Sequence, residues 1–163
     1  MRPNWQERST DLEVIDYSRV EPITESIEAI KHIFGDDSQI YAIGYSLGSN
    51  HLLRHLGAHR DCQNICGVRA AVSISGAFDV RSTCVNIKDK VFGAYDRYIL
   101  SFLQESFSQG FFKVTSKKPE FYKEQCYKAK NLTQFDTLIR GPIFGYKGAS
   151  RLFRNISCDA YIS

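Results

Sequence analysis

The sequence predicts an α/β fold with central parallel strands, flanking helices and a helical insertion. Three observations lead there. From residue 22 to residue 75 the pattern runs helix, strand, helix, strand. Beyond Asp79 the strand signals stop, and helical stretches rich in Phe, Tyr and Lys take over. A G-x-S-x-G pentapeptide falls where the first strand meets the second helix. Alternation of this kind places neighbouring strands parallel, joined by a right-handed crossover.

The first helix begins at Pro22, and Ile23, Ile27, Ile30 and Phe34 recur along it at helical spacing. Glu25 and Glu28 lie near its positive end, Lys31 and His32 near its negative end. Pro22 just inside and Gly35 just beyond supply start and stop. Asp36-Asp37-Ser38 is a turn. Residues 39–44 read as a short buried strand, and Leu47 to Leu56 as a helix closed by Gly57. A polar loop over residues 58–66 leads to a second strand, residues 68–75. Further helices are expected over Val91 to Leu103 and Pro119 to Lys130.

Composition excludes several classes. With 163 residues, 43% of them apolar, 11 Phe and 9 Tyr, the chain has the makings of one packed domain and is no disordered segment. Its 21 Lys and Arg against 18 Asp and Glu leave a net charge of +3, too small and too scattered for nucleic acid. The densest basic cluster, Lys113 to Lys118 with Lys123, is broken by Val, Thr and Ser and reads as solvated surface. No apolar run approaches the ~20 residues of a transmembrane segment, and residues 1–20 do not form a signal peptide. As written, the chain reads as soluble and intracellular. Its five cysteines (Cys62, Cys66, Cys84, Cys126, Cys158) form an odd set that suits free thiols in a reducing compartment. His59, Cys62 and Cys66 form a loose cluster without a second half-site, so no metal is expected. Two sequons, at Asn131 and Asn155, read as chance matches.

Gly44-Tyr45-Ser46-Leu47-Gly48 carries the chemistry. A serine on a very sharp strand-to-helix turn projects its hydroxyl above the sheet edge. Glycines two residues to either side let the two backbones approach without a Cβ clash. The same turn aims the Leu47 amide, at a helix N-terminus, toward the oxyanion that forms on an attacked carbonyl. The strand before it and the amphipathic helix after it are the context that this motif requires.

The segment from Gly44 to Gly57 resembles the nucleophile elbow and following helix of the α/β-hydrolases, among them the embryogenesis-associated, YheT-like and membrane-anchored phospholipase types. Ala70 to Asp79 looks like the strand and Phe-Asp lead-in of that family's helical cap. Tyr95 to Leu100 looks like its cap helix, and Phe135-Asp136 with Pro142 to Tyr146 like the return to the sheet. The resemblance spans residues 20–155. It implies an incomplete α/β-hydrolase fold: one partial domain over residues 1–163, with an elbow core at 20–79 and a helical cap region at 80–155. Ser49 departs from the family, which usually has a second glycine there.

The resemblance also implies a carboxylic-ester hydrolase with a small-molecule ester or lipid as substrate and no cofactor. Ser46 would attack, a histidine would shuttle the proton and an acid would orient it. The chain order of that triad is Ser, acid, His. All four histidines (His32, His51, His55, His59) precede residue 60, and none follows an acid that follows Ser46. His51, His55 and His59 repeat along the second helix and read as surface or packing residues. Asp79 is a low-ranked candidate acid, and a turn residue is the favoured reading; Asp136 and Asp159 have no better claim. The second oxyanion amide has no source upstream of residue 20. The expectation is a chain that is inactive by itself, with apolar sheet surface left exposed and poor solubility. Two other readings stay open. One is a non-catalytic remnant that holds a lipid or a partner through the aromatic region Phe102 to Phe121; the other is acyl transfer from the same elbow.

Overall fold

The computed structural model describes residues 18–60, 67–107 and 119–161. It is mostly helical with two parallel strands. The described residues divide into two compact units: one formed by residues 18–85 together with 150–161, the other by residues 86–149. The expected Cys62, Cys66 and Lys113–Lys118 lie outside the described residues.

The first unit contains the helix α1 (Glu21–Phe34), the strand β1 (Ile40–Tyr45), the helix α2 (Leu47–Ala58) and the strand β2 (Val68–Ile74). α1 starts as expected, with Pro22 in its first turn and Gly35 beyond its end at φ 97°. Of the expected apolar stripe only Ile27 is buried; Ile30 and Phe34 stand in solvent. α2 does not stop at Gly57 but runs on to Ala58. Gly57 serves close approach instead, since a Cβ there would lie 2.3 Å from the Cβ of Tyr161.

β1 and β2 pair in parallel, with Tyr41 opposite Ala70, Ile43 opposite Val72, Gly44 opposite Ser73 and Tyr45 opposite Ile74. Side chains alternate across a strand, so Tyr41, Ile43, Tyr45, Val72 and Ile74 share one face. All five are exposed. The expectation of a short buried strand over residues 39–44 is therefore corrected: β1 alternates, and α2 packs on the side that holds Gly44. The exposed apolar surface expected of a strand pair is present on the other face.

The helix α3 (Val80–Asp89) follows β2, and the C-terminal helix α7 (Ala149–Ile156) buries Leu152, Phe153 and Ile156. Residues beyond α7 lock onto the stretch after β2. The Cys158 amide donates to the Phe78 carbonyl at 2.8 Å. The Ser157 hydroxyl accepts from the Val80 amide at 2.9 Å and donates to the Phe153 carbonyl at 2.7 Å.

The second unit is helical: α4 (Ala94–Ser106), α5 (Pro119–Lys128) and α6 (Leu132–Phe135), which continues through a π-helical turn at Asp136–Arg140. Its core joins Leu100, Phe107, Cys126, Ala129, Leu132, Phe135 and Ile139. Phe107 and Phe135 meet edge to face at 5.1 Å, a favoured aromatic geometry. Asn131 caps α6 by accepting the Gln134 amide at 2.9 Å. The expected helix start at Val91 is corrected: Val91 and Phe92 take left-handed backbone angles, and α4 begins at Ala94.

Candidate active site

Ser46 is the single residue between β1 and α2, and its backbone sits at φ 51°, ψ −116°. A non-glycine residue reaches this region at a cost of about 1–3 kcal/mol and stays there only when its surroundings hold it. They do so from both sides. The Ser46 amide donates to the Ile74 carbonyl at 2.9 Å, prolonging the β1–β2 ladder. Its carbonyl accepts the Asn50 amide at 3.2 Å, opening α2. The Ser46 side chain is exposed. Leu47 is the first residue of α2, where amides have no intrahelical acceptor and the helix dipole favours negative charge.

The two flanking glycines differ. A Cβ on Gly44 would stand 2.5 Å from the Ser49 Cα and 2.7 Å from the Gly48 carbonyl, so only glycine lets strand and helix meet there. A Cβ on Gly48 would meet nothing within 4 Å. The expectation that both glycines prevent a clash is thus corrected for Gly48, which faces open space.

Ser49, read from sequence only as a departure, is fully buried and reaches across Gly44 to Ser73, hydroxyl to hydroxyl at 2.5 Å. Gly76 makes room for it, because a Cβ there would come 2.3 Å from the Ser49 Oγ. Asn50, equally buried, donates from its amide to the Ala77 carbonyl at 2.8 Å. The register that sets Ser73 opposite Gly44 was the missing signal, and spacing along the chain does not contain it.

Asp79 is committed locally. One carboxylate oxygen accepts the Arg81 amide at 2.9 Å and the Ser82 amide at 3.3 Å, and the other accepts the Ser82 hydroxyl. The Asp79 carbonyl takes the Thr83 amide at 3.0 Å, so the residue caps α3. The Ser82 hydroxyl and amide hold its carboxyl below the usual carboxylate range. Asp136 is buried beside Arg140, with burial pushing its pKa up against the pull of the guanidinium. Asp159 is an exposed residue just beyond α7.

His55 is fully buried, its Nδ1 3.4 Å from the Thr24 hydroxyl and its ring 4.6 Å from that of His59. The His59 Nδ1 lies 2.8 Å from the His55 carbonyl. His55 is thus held against Thr24 of α1, and His59 against the last turn of α2. No group of acids, histidines and cysteines suited to a metal occurs among the described residues. A cleft of about 530 Å³ lies at the opposite ends of the strands from Ser46, lined by Lys31, Ile40, Val68 and Arg69 among others. No helix among the described residues is long and apolar enough to cross a membrane.

Two curated proteins resemble the chain. It is 27% identical over 128 residues to the monoacylglycerol lipase of Saccharomyces cerevisiae, covering 73% of this chain and 27% of that protein. It is 26% identical over 144 residues to the embryogenesis-associated protein EMB8 of Picea glauca, covering 83% of this chain and 30% of the relative. The chain thus spans less than a third of the length of either relative. No family model matches it, and no solved structure does.

Proposed function

We infer that these residues are the nucleophile-bearing part of a serine carboxylic-ester hydrolase acting on lipid or short-chain esters. One observation carries the reading: the strained backbone of Ser46 at the junction of β1 and α2. Ser46 is the nucleophile, and the Leu47 amide is one oxyanion donor. Gly44 allows the close approach on which the turn depends. The likeness to a monoacylglycerol lipase adds the lipid ester as substrate class. The cap role belongs, on this reading, to residues 80–155.

Proton transfer needs a base beside the Ser46 hydroxyl. Asp79 is spent on capping α3, while His55 is buried against Thr24 of α1 and His59 lies against the end of α2. On this reading the 163 residues by themselves are expected not to turn over esters. A fluorophosphonate probe tests this: no label on Ser46 above the Ser46→Ala background is expected, and robust labelling would overturn the claim of inactivity. In a protein that carries these residues with a late acid and histidine, Ser46→Ala should cut turnover of a monoacylglycerol by about a thousandfold or more. Undiminished turnover in that variant would remove Ser46 from the chemistry.

A second reading is non-catalytic lipid or partner binding, favoured by the exposed Tyr95, Tyr98, Phe102 and Phe121. Lipid binding unaffected by Ser46→Ala, without ester turnover, would support it.

A further inference from the structure

Asn86 to Ser106 hold a feature that ester chemistry at Ser46 does not use. Three consecutive residues, Val91, Phe92 and Gly93, have φ of 50°, 53° and 69°, a left-handed turn between α3 and α4. Glycine takes such angles freely; a β-branched valine and a phenylalanine do so only under constraint. Arg97 bridges the turn by donating from its Nη1 to the Phe92 carbonyl at 2.9 Å. The turn leaves the Phe92 ring 95% exposed, with Val91 exposed beside it.

Along α4, Tyr95, Tyr98 and Phe102 are exposed as well. At 3.6 residues per turn they fall within about 60° of one another and form a single aromatic stripe that leads away from Phe92. Lys88, Lys90 and Arg97 are exposed around the tip. Asp89 stands among them and Glu105 at the far end of the stripe, whereas Asp96 is buried and accepts the Leu132 amide at 3.2 Å. The tip is therefore aromatic with a cationic collar.

We propose that this face, with Phe92 at its apex, docks on a membrane surface that carries anionic phospholipid headgroups. Phe92 and Val91 enter the acyl boundary, the tyrosines lie at headgroup depth with their hydroxyls in water, and the cations meet the phosphates. A second copy of the chain is a poorer occupant, because two cationic collars would face each other. The proposal deepens the lipid reading above by naming the surface through which the chain meets its lipid phase, and it does not depend on Ser46.

Sedimentation of the 163-residue chain with vesicles tests it, using phosphatidylcholine alone or mixed with phosphatidylserine. Association should require phosphatidylserine and weaken as salt is raised. It should fall on the order of tenfold or more in Phe92→Ser/Tyr98→Ser and in Lys88→Glu/Lys90→Glu. Helical content by circular dichroism should stay as in the parent. Ile33→Ser/Phe34→Ser, which alters a different exposed apolar patch, and Ser46→Ala should leave association unchanged. Absent association, association indifferent to phosphatidylserine, equal loss in the Ile33 and Phe34 variant, or a dimer that disappears with Phe92→Ser would each overturn the proposal. Vesicle docking that persists while Ser46 proves dispensable for turnover would count against the hydrolase reading alone.

Discussion

The two glycines that flank Ser46 look equivalent in the pentapeptide, yet alanine at each should act with opposite sign. At Gly44 the added Cβ overlaps the Ser49 Cα at 2.5 Å, the Gly48 carbonyl at 2.7 Å and the Ser49 amide nitrogen at 2.8 Å. All three are backbone atoms, so no rotamer change relieves the overlap and β1 must move away from α2. Overpacking of this kind costs about 1–3 kcal/mol. At Gly48, the second residue of α2, the Cβ meets nothing within 4 Å. Replacing a helical glycine there removes backbone freedom from the unfolded chain and should add about 0.5–1 kcal/mol. Amide hydrogen exchange in β1, β2 and α2 reads both changes without requiring a two-state global transition. Protection should fall roughly 5- to 150-fold in Gly44→Ala and rise roughly two- to fivefold in Gly48→Ala. A Gly44→Ala protein with unaltered protection, or equal losses in the two variants, would refute the reasoning that only one glycine is a close-approach residue.

Three further outcomes follow from the same geometry. Asp79→Ala should cost about 1 kcal/mol by uncapping α3. Since the folded pKa of Asp79 is depressed, its stabilisation is present above the unfolded carboxylate pKa and disappears as pH falls through the folded one. An acid titration of helicity that is the same with and without Asp79 would contradict this. Burial pushes the Cys126 thiol from 9.0 to about 11, so its contribution to stability is intact below pH 9.0 and lost as pH rises through about 11. Iodoacetamide at about pH 8 should modify Cys126 only after unfolding, which peptide mapping would verify. Ser73→Ala should cost more than Ser49→Ala in urea denaturation, by about 1 kcal/mol. The first leaves the fully buried Ser49 hydroxyl without its partner, whereas the second leaves only the exposed Ser73 hydroxyl; equal costs would mean that the pair contributes nothing.

The order helix, strand, turn, helix, strand was legible because neighbours in sequence control it. Pro22 and Gly35 bracket α1, and glycines and apolar periodicity mark β1, α2 and β2. The sharp turn at Ser46 was legible for the same reason, and so was Asp79 as a turn residue, although its capping of α3 was not read from the sequence. What the pattern misjudged were the consequences of distant partners. Gly57 had the features of a helix stop, yet Tyr161, from the far end of the chain, uses it as a contact. Ile30 and Phe34 continue the stripe of Ile27, but no partner among the described residues buries them. Val91 fits the helical spacing of α4, yet it takes a left-handed conformation in a turn whose Phe92 carbonyl accepts from Arg97.

By itself, then, the sequence determined the local geometry around Ser46, because a strand-to-helix turn is a matter of backbone sterics over five residues. The tertiary structure decided which of those residues support it. Ser49 and Ser73 meet only because β2 pairs with β1 in one register, and Gly48 is open because nothing among the described residues reaches it. Packing across distant segments is set by volume and register, and neither is written in the spacing of a motif.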